Sequence, residues 1–212
     1  HSLISVHMYP FFYFYISISY VFIINICFTD VKINAIICAK SQGVPTMNSN
    51  YLQWKYGVKD GIPICLGYFA VSFTFGIMAS GSGLPPLQAV VMSAANLTSA
   101  GQFAALGIIS ASASYTEMAV TQLIINLRYC LMSCSLSQKL DSRHSFLHRF
   151  PVAYGVTDEI FGVSVCKPGR LSPFYNYGLI TAAVPGWAGG TLFGAVCGDI
   201  LPGRVISALS VA

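Results

Sequence analysis

Charged side chains are scarce in this sequence. Only 8% of the 212 residues are Asp, Glu, Lys or Arg, whereas 55% are hydrophobic, and the mean hydropathy is +0.66. A soluble domain carries roughly 25% charged residues, so this chain has too little charge to cover a surface exposed to water. Because the apolar runs are continuous and do not alternate, they argue against a transmembrane barrel. The composition predicts an all-α, polytopic helical membrane protein.

Motifs for catalysis, metal binding and nucleic-acid binding are also missing. The sequence has no P-loop, no HExxH, no nucleophile elbow, no CxxC and no Cys/His cluster with zinc spacing. No histidine falls inside a predicted span, and basic residues do not interleave with aromatics as they do in nucleic-acid sites. We therefore expect no enzyme activity, no metal, no cofactor and no nucleic-acid partner.

The first 46 residues differ in composition from the rest of the chain. Residues 11–28 are rich in aromatics and Ile, whereas the sequence after Met47 is rich in Ala, Gly, Ser and Leu. The early apolar stretch is about long enough to cross a bilayer. We interpret residues 1–46 as a non-native or disordered extension or an extra apolar helix, and residues 47–212 as the membrane domain.

Four apolar segments follow a polar lead-in that ends at Asp60. They cover residues 61–80, 87–110, 117–136 and 175–199. The second segment has polar and small residues at its middle, NLTSAGQ at positions 96–102, which predicts a broken or re-entrant helix. Non-helical backbone at membrane depth is tolerated where it lines a cavity, and broken helices at the midplane are where transporters bind substrate.

The distribution of basic residues supports a re-entrant segment. The positive-inside rule places the basic residues near 55–59, 139–149 and 167–170 on the cytoplasmic side. Three apolar segments separate the first two basic stretches, and three full crossings would put these stretches on opposite sides. Residues 87–110 are therefore the natural candidate for a segment that does not cross.

A weak internal repeat relates the first and last spans. Phe69-Ala70, Phe75-Gly76 and Leu84-Pro85 correspond to Trp187-Ala188, Phe193-Gly194 and Leu201-Pro202. Small residues form matching stripes at Ser72, Gly76 and Ser80 and at Gly186, Gly190, Gly194 and Gly198, where helix backbones can approach closely. Chance similarity between Gly-rich helices is the alternative. If the repeat is real, the counterpart of NLTSAGQF lies beyond Ala212 and the domain is C-terminally incomplete.

Polar side chains inside the apolar segments are the candidates for a binding site, because they are costly in lipid and tend to face partners or substrate paths. The candidate substrate-binding residues are Asn96, Thr98, Ser99, Gly101, Gln102, Asn126 and Arg128. Gln102 and Asn126 either bind a zwitterionic substrate or bond helices to one another. Arg128 either holds a substrate carboxylate or pairs with an acid.

Three acids are candidates for that ion pair or for a coupling site: Glu117, Asp158 and Glu159. Thr157 before two acids is typical of a helix N-terminus, which predicts a helix beginning there. At 100° per residue, Glu117 and Arg128 share one side of the third span, and Gln122 and Asn126 share the other. We therefore expect this helix not to be mainly lipid-facing.

Three blocks of the sequence stand in the order found in one known family. They are Gly101-Gln102-Phe103-Ala104-Ala105, Asn126-Leu127-Arg128-Tyr129 and Thr157-Asp158-Glu159. With the run GIPICLGYFAVSFTFGIMA before them, residues 55–212 resemble the AzlC/YgaZ family of branched-chain amino acid permeases. The resemblance implies a multi-pass protein of the bacterial cytoplasmic membrane that exports valine, leucine or isoleucine with a small AzlD/YgaH-type membrane subunit.

These observations lead to one mechanism and one alternative. The mechanism is gradient-driven alternating access around residues 96–102 and 126–128, with Leu123, Ile124 and Phe103 accepting the branched side chain. The alternative is a structural or regulatory membrane subunit without transport activity of its own.

Overall fold

The computed structural model describes residues 49–141 and 143–200. Within these ranges the chain forms seven α-helices, one short 3-10 helix and no β-strand, which confirms the all-α prediction. The helices are α1 Asn50–Gly81, α2 Pro86–Ala95, α3 Ser99–Ser110, α4 Tyr115–Lys139, α5 Arg149–Tyr154, α6 Asp158–Cys166 and α7 Pro173–Ile200, with the 3-10 helix at Phe146–His148. The interpretation of residues 1–46 and the expected end of the last span after 200 lie outside the described residues.

Three of these helices are long and apolar enough to cross a membrane: α1, α4 and α7, with 32, 25 and 28 residues. The helix α1 begins at Asn50, so the polar lead-in predicted before residue 61 is mostly helical, and that boundary was wrong. Pro63 lies inside the same helix. Continuous helix is favoured over a separate lead-in because backbone groups entering the apolar region need hydrogen-bond partners.

The described chain divides into two compact units. The first unit contains Cys65–Asn126 and the part of α7 from Val184, and the second contains the start of α1 to Ile64 and Leu127–Ala183. The short helices α2 and α3 belong only to the first unit, and α5 and α6 belong only to the second. Phe75, Met92, Leu106 and Met118 lie in the apolar core of the first unit.

The predicted break in the second apolar segment is confirmed. The helix α2 ends at Ala95, Asn96 and Thr98 have extended backbone, and α3 begins at Ser99. Helices of 10 and 12 residues are about 15 and 18 Å long, so neither alone spans a hydrocarbon core of about 30 Å. This geometry fits the predicted re-entrant pair.

A second break occurs in the connector between α4 and α7. The helix α5 ends at Tyr154, and Thr157 has extended backbone before α6 begins at Asp158, as its sequence predicted. The ends of the connector are tied together, because the Leu171 N–H donates to the Lys139 carbonyl at 2.9 Å and the Asp141 N–H donates to the Leu171 carbonyl at 2.9 Å. The connector therefore returns to the point where it left α4.

Glycines bring α1 and α7 together in both units. Gly178 faces Gly57 and Ala182 faces Gly61 in the second unit, and Gly186 faces Cys65, Gly190 faces Phe69 and Gly194 faces Phe73 in the first. Facing positions advance together along the chain, so the two helices run parallel. A methyl group on Gly190 would lie 2.5 Å from the Phe69 carbonyl oxygen, so the predicted small-residue stripe is a packing surface. The internal repeat itself stays a prediction.

The basic stretches predicted to share one side all belong to the second unit. Gly57, between Lys55 and Lys59, packs against α7 there, and the Lys167 ammonium lies 2.8 Å from the Asp60 carboxylate. The backbone pairing of Lys139 with Leu171 places the stretch that begins at Lys139 beside the stretch at 167–170. The helix α1 therefore begins in the second unit, and α4 ends in it.

The helix α4 is buried along one stripe only, and the expectation that it is not mainly lipid-facing stays a prediction. One stripe of this helix is buried, including Met118, Gln122 and Asn126. The other side of the helix exposes Val120, Ile124, Leu127 and Leu131. Glu117 and Arg128 lie near the first turn and the middle of the helix, and the apolar residues around them make most of the exposed face.

Candidate functional site

The break between α2 and α3 is held by one fully buried side chain, Gln102. Its Nε2 donates to the carbonyls of Met92 at 3.2 Å and of Asn96 at 2.9 Å, and its Oε1 accepts from Ser93 Oγ at 3.4 Å. The last carbonyls of a helix lack partners within the helix, and none can be left unpaired in an apolar environment. Gln102 therefore stabilises the end of α2.

The same site is tied to α7 by hydroxyl groups. Ser93 Oγ lies 2.7 Å from Thr191 Oγ1, and both residues are fully buried. Thr191 Oγ1 also donates to the Trp187 carbonyl at 3.1 Å. These bonds connect the re-entrant pair to the long helix inside the first unit.

Two amides of α4 complete the arrangement. Gln122 Nε2 donates to the Gly101 carbonyl at 2.8 Å, and Asn126 Nδ2 donates to Gln122 Oε1 at 3.1 Å. A methyl group at position 101 would lie 2.7 Å from Gln122 Oε1, so glycine is needed for this approach. We call Ser93, Gln102, Gln122, Asn126 and Thr191 the polar network. It contains no charged group.

Four predicted binding residues have structural positions at this break. Thr98 is fully buried and caps α3, since its Oγ1 accepts from the Gly101 N–H at 3.3 Å. Gly101 makes room for Gln122, and Asn96 and Ser99 are half-buried. Together with the bonds of Gln102, these contacts support the interhelical alternative for Gln102.

Arg128 does not share a face with Asn126, so the structure does not bring these two predicted binding residues together. Two positions along a helix differ by about 200°, and the structure buries Asn126 and leaves Arg128 exposed. In the second unit the Arg128 guanidinium lies 2.6 Å from the Asp158 carboxylate and donates to Tyr129 Oη at 3.3 Å.

The three candidate acids have different environments. Asp158 is the partner of Arg128, and the two side chains are 47% and 44% exposed. Glu159 is exposed beside it in the first turn of α6, behind the cap that Thr157 Oγ1 forms by accepting from the Ile160 N–H at 3.3 Å. Glu117 is exposed in the first turn of α4. The ion-pair alternative for Arg128 is thus the one supported.

The apolar side of the predicted site also needs correction. Leu123 and Ile124 are 51% and 68% exposed on the outer face of α4, so they cannot accept a substrate side chain beside Asn126. Phe103 is half-buried and packs edge-on against Phe75, with ring centroids 5.7 Å apart. Met92, whose carbonyl accepts from Gln102 Nε2, is fully buried in the core.

The sequence analysis did not predict two polar clusters in the second unit. Asp60 accepts from Tyr175 Oη at 2.7 Å and lies 2.8 Å from the Lys167 ammonium, which also sits 5.0 Å from the Tyr175 ring centroid. Ser164 Oγ donates to Asn176 Oδ1 at 2.8 Å, and both are buried. Asp60 and Lys167 were assigned to connectors, and no local spacing relates residues so far apart.

Comparison with known proteins places the chain in a family. The profile of the AzlC protein family matches residues 63–201. The inner membrane protein YgaZ of Escherichia coli (strain K12) is 30% identical over 147 residues, covering 68% of this chain and 60% of that protein. An uncharacterized membrane protein of Archaeoglobus fulgidus is 31% identical over 163 residues, covering 76% and 71%.

An uncharacterized membrane protein of Helicobacter pylori (strain J99) is 28% identical over 149 residues, covering 66% of this chain and 64% of that protein. The chain thus spans 60% of the Escherichia coli protein and 71% of the Archaeoglobus protein. No solved structure matches the chain significantly. On the profile match and these relatives, the chain belongs to the AzlC family of membrane proteins.

Proposed function

We propose that this protein is a gradient-driven transporter that exports branched-chain amino acids across the cytoplasmic membrane together with a small AzlD/YgaH-type subunit. Membership of the AzlC family and three candidate spans support a membrane transport role. The substrate and the partner come from the resemblance of the sequence to branched-chain amino acid permeases. The observation that carries the proposal is the broken α2–α3 helix with its buried polar network.

The chemistry of the polar network suits a substrate without net charge. Its five side chains are neutral amides and hydroxyls, and all are at most 2% exposed. A free ion in such a place would need a charged partner, whereas an amino acid carries one positive and one negative group and an apolar side chain. Buried apolar residues of the first unit, Met92, Leu106 and Phe75, provide the surroundings that a branched side chain prefers.

Coupling to a gradient is assigned to the second unit. Asp158 with Arg128 and Asp60 with Lys167 and Tyr175 are half-exposed ion pairs on spans and connector. Such pairs can change partners when a proton or another ion binds. We infer that one of these carboxylates responds to the driving ion.

The test is efflux from cells preloaded with dipeptides that contain valine, leucine or isoleucine. The full-length gene is expressed with and without its small membrane subunit, and release of the free amino acid is timed. We expect faster efflux that depends on both proteins. Unchanged efflux, with the protein verified in the membrane, would contradict the proposal.

A structural or regulatory subunit without its own transport activity is the second candidate function. The observation that favours it is the set of internal partners of Gln102, which use both of its N–H groups. Arg128→Gln separates the two functions. A transporter should lose flux while the complex still assembles, whereas a scaffold should lose assembly or show no change in a pull-down of the small subunit.

A further inference from the structure

One buried atom of the polar network has no hydrogen-bond partner among the described residues. It is Asn126 Oδ1, on a residue that is 2% exposed. Buried amide oxygens are nearly always paired, and an unpaired one calls for an explanation. A ligand that donates a hydrogen bond to this oxygen would explain it.

The direction of the hydrogen bonds fixes which atom of Asn126 is left over. The Gly101 carbonyl can only accept, so Gln122 must turn its Nε2 toward it, at 2.8 Å. Gln122 Oε1 then points toward Asn126 and accepts from Nδ2 at 3.1 Å. Exchanging the Asn126 atoms would place two acceptors face to face. The atom of Asn126 that is left without a partner is therefore the acceptor Oδ1.

The other amide of the network cannot play this part. Both hydrogen atoms of Gln102 Nε2 are used by backbone carbonyls, and its oxygen lies 3.4 Å from the Ser93 hydroxyl. Asn126 also lies on the buried face of α4, away from the exposed Arg128. Its oxygen is thus the end of the network that is open to a further donor.

We propose that Asn126 Oδ1 accepts a hydrogen bond from the α-ammonium group of the transported amino acid. This inference rests on the proposed function and names the part of the substrate that this residue recognises. A carbonyl oxygen with no counter-charge attracts an N–H donor and repels a carboxylate, and bonds to charged donors are the stronger ones. The ligand class is therefore a primary amine with a branched apolar chain.

The test is a binding competition on the purified full-length protein with its small subunit. Labelled leucine is displaced by isoamylamine, which has the amine and side chain without the carboxylate, or by 4-methyl-2-oxopentanoate, which has the carboxylate and side chain without the amine. We expect the amine to compete in the wild type and the oxo acid to compete poorly. Equal competition by the oxo acid would overturn the inference.

Two substitutions have opposite expected effects. Asn126→Leu removes the acceptor and should weaken leucine and isoamylamine binding roughly 10- to 100-fold while changing oxo acid binding little. Asn126→Gln keeps both an acceptor oxygen and an N–H for Gln122 Oε1, and it should retain the preference for the amine even if Asn126→Leu does not fold. Ser135→Ala, on the exposed face of the same helix, is the control and should bind as the wild type does.

The outcomes separate this inference from the proposed function. If Asn126→Leu binds leucine like the wild type, or Asn126→Gln loses the amine preference, the inference is wrong and a water molecule satisfies Oδ1, while efflux can still be present. If the wild type binds isoamylamine through Asn126 but exports no branched-chain amino acid, the inference holds and the proposed substrate is wrong. If the wild type binds none of the three probes, the inference is overturned.

Discussion

Each of the two units contains an interrupted helix, and the two interruptions are built alike but partnered differently. Between α2 and α3, and again between α5 and α6, a three-residue break ends in a buried threonine whose Oγ1 accepts from the N–H three residues later, at 3.3 Å in both cases. The first break is held by the neutral polar network. Beside the second lies the ion pair between Arg128 and Asp158.

Burial explains the difference between these breaks. Gln102 at the first break is fully buried, whereas Arg128 and Asp158 are 44% and 47% exposed. Removing a charge from water costs far more than removing an amide whose bonds are all made. The break between α2 and α3 is therefore surrounded by neutral amides that are buried, whereas the charges beside the break between α5 and α6 are exposed.

The largest expected effect concerns the glycine contacts between α1 and α7, which occur within each unit. Gly190→Leu would force a side chain into the backbone of α1, where even a methyl group meets the Phe69 carbonyl at 2.5 Å. Overpacking typically costs about 1–3 kcal/mol, and backbone cannot yield as side chains do. We expect loss of most monodisperse protein in size-exclusion chromatography.

Gly189→Leu is the matched control for that substitution. A methyl group at this neighbouring glycine meets nothing within 4 Å, so the yield should stay near that of the wild type. Equal loss in both variants would mean that helix propensity and not the α1–α7 contact explains the effect.

An intermediate effect is expected at the first break. Gln102→Leu leaves the Met92 and Asn96 carbonyls without this donor. An unsatisfied buried group costs about 1–3 kcal/mol, so thermal unfolding should shift downward by several degrees. Gln138→Leu, at an exposed position of α4, provides the control. A shift no larger than that of the control would show that the first break does not depend on its amide.

The smallest effect on stability is expected at the second break. Arg128→Gln or Asp158→Asn removes an ion pair that is nearly half-exposed, and such pairs contribute about 0–1 kcal/mol. The double variant that reverses the pair, Arg128→Asp with Asp158→Arg, should have an unfolding temperature close to that of the wild type. Flux should fall in both single variants if the pair takes part in coupling. A stability loss as large as that of Gln102→Leu would remove the contrast between the two breaks.

Local sequence patterns predicted much of the fold. The apolar runs located α1, α4 and α7, the polar centre NLTSAGQ located the break at residues 96–98, and Thr157 located the start of α6. Each of these depends on neighbours within a few residues. The start of α1 was misplaced because charged and polar residues near a membrane surface also form helix.

Of the polar network, the sequence predicted Gln102 and Asn126 as site residues but not Ser93, Gln122 or Thr191. The sequence picked out Gln102, Asn126 and Arg128 as polar groups inside spans, but it placed them in one site. Only the fold buried Asn126 and left Arg128 with Asp158, and it turned Leu123 and Ile124 outward. Asp60 and Lys167 could not be paired from the sequence, since they lie on different elements.

What the sequence by itself determined is the class of the protein, the helices and where one of them breaks, because hydrophobicity and backbone preferences act over short distances along the chain. What only the tertiary structure decided is which polar groups satisfy one another. Gly101 lets Gln122 approach α3, Gln122 orients Asn126, and Asn126 is left with an open acceptor. That order of bonds depends on contacts between helices in three dimensions, where each donor can serve only the acceptor that packing brings within reach.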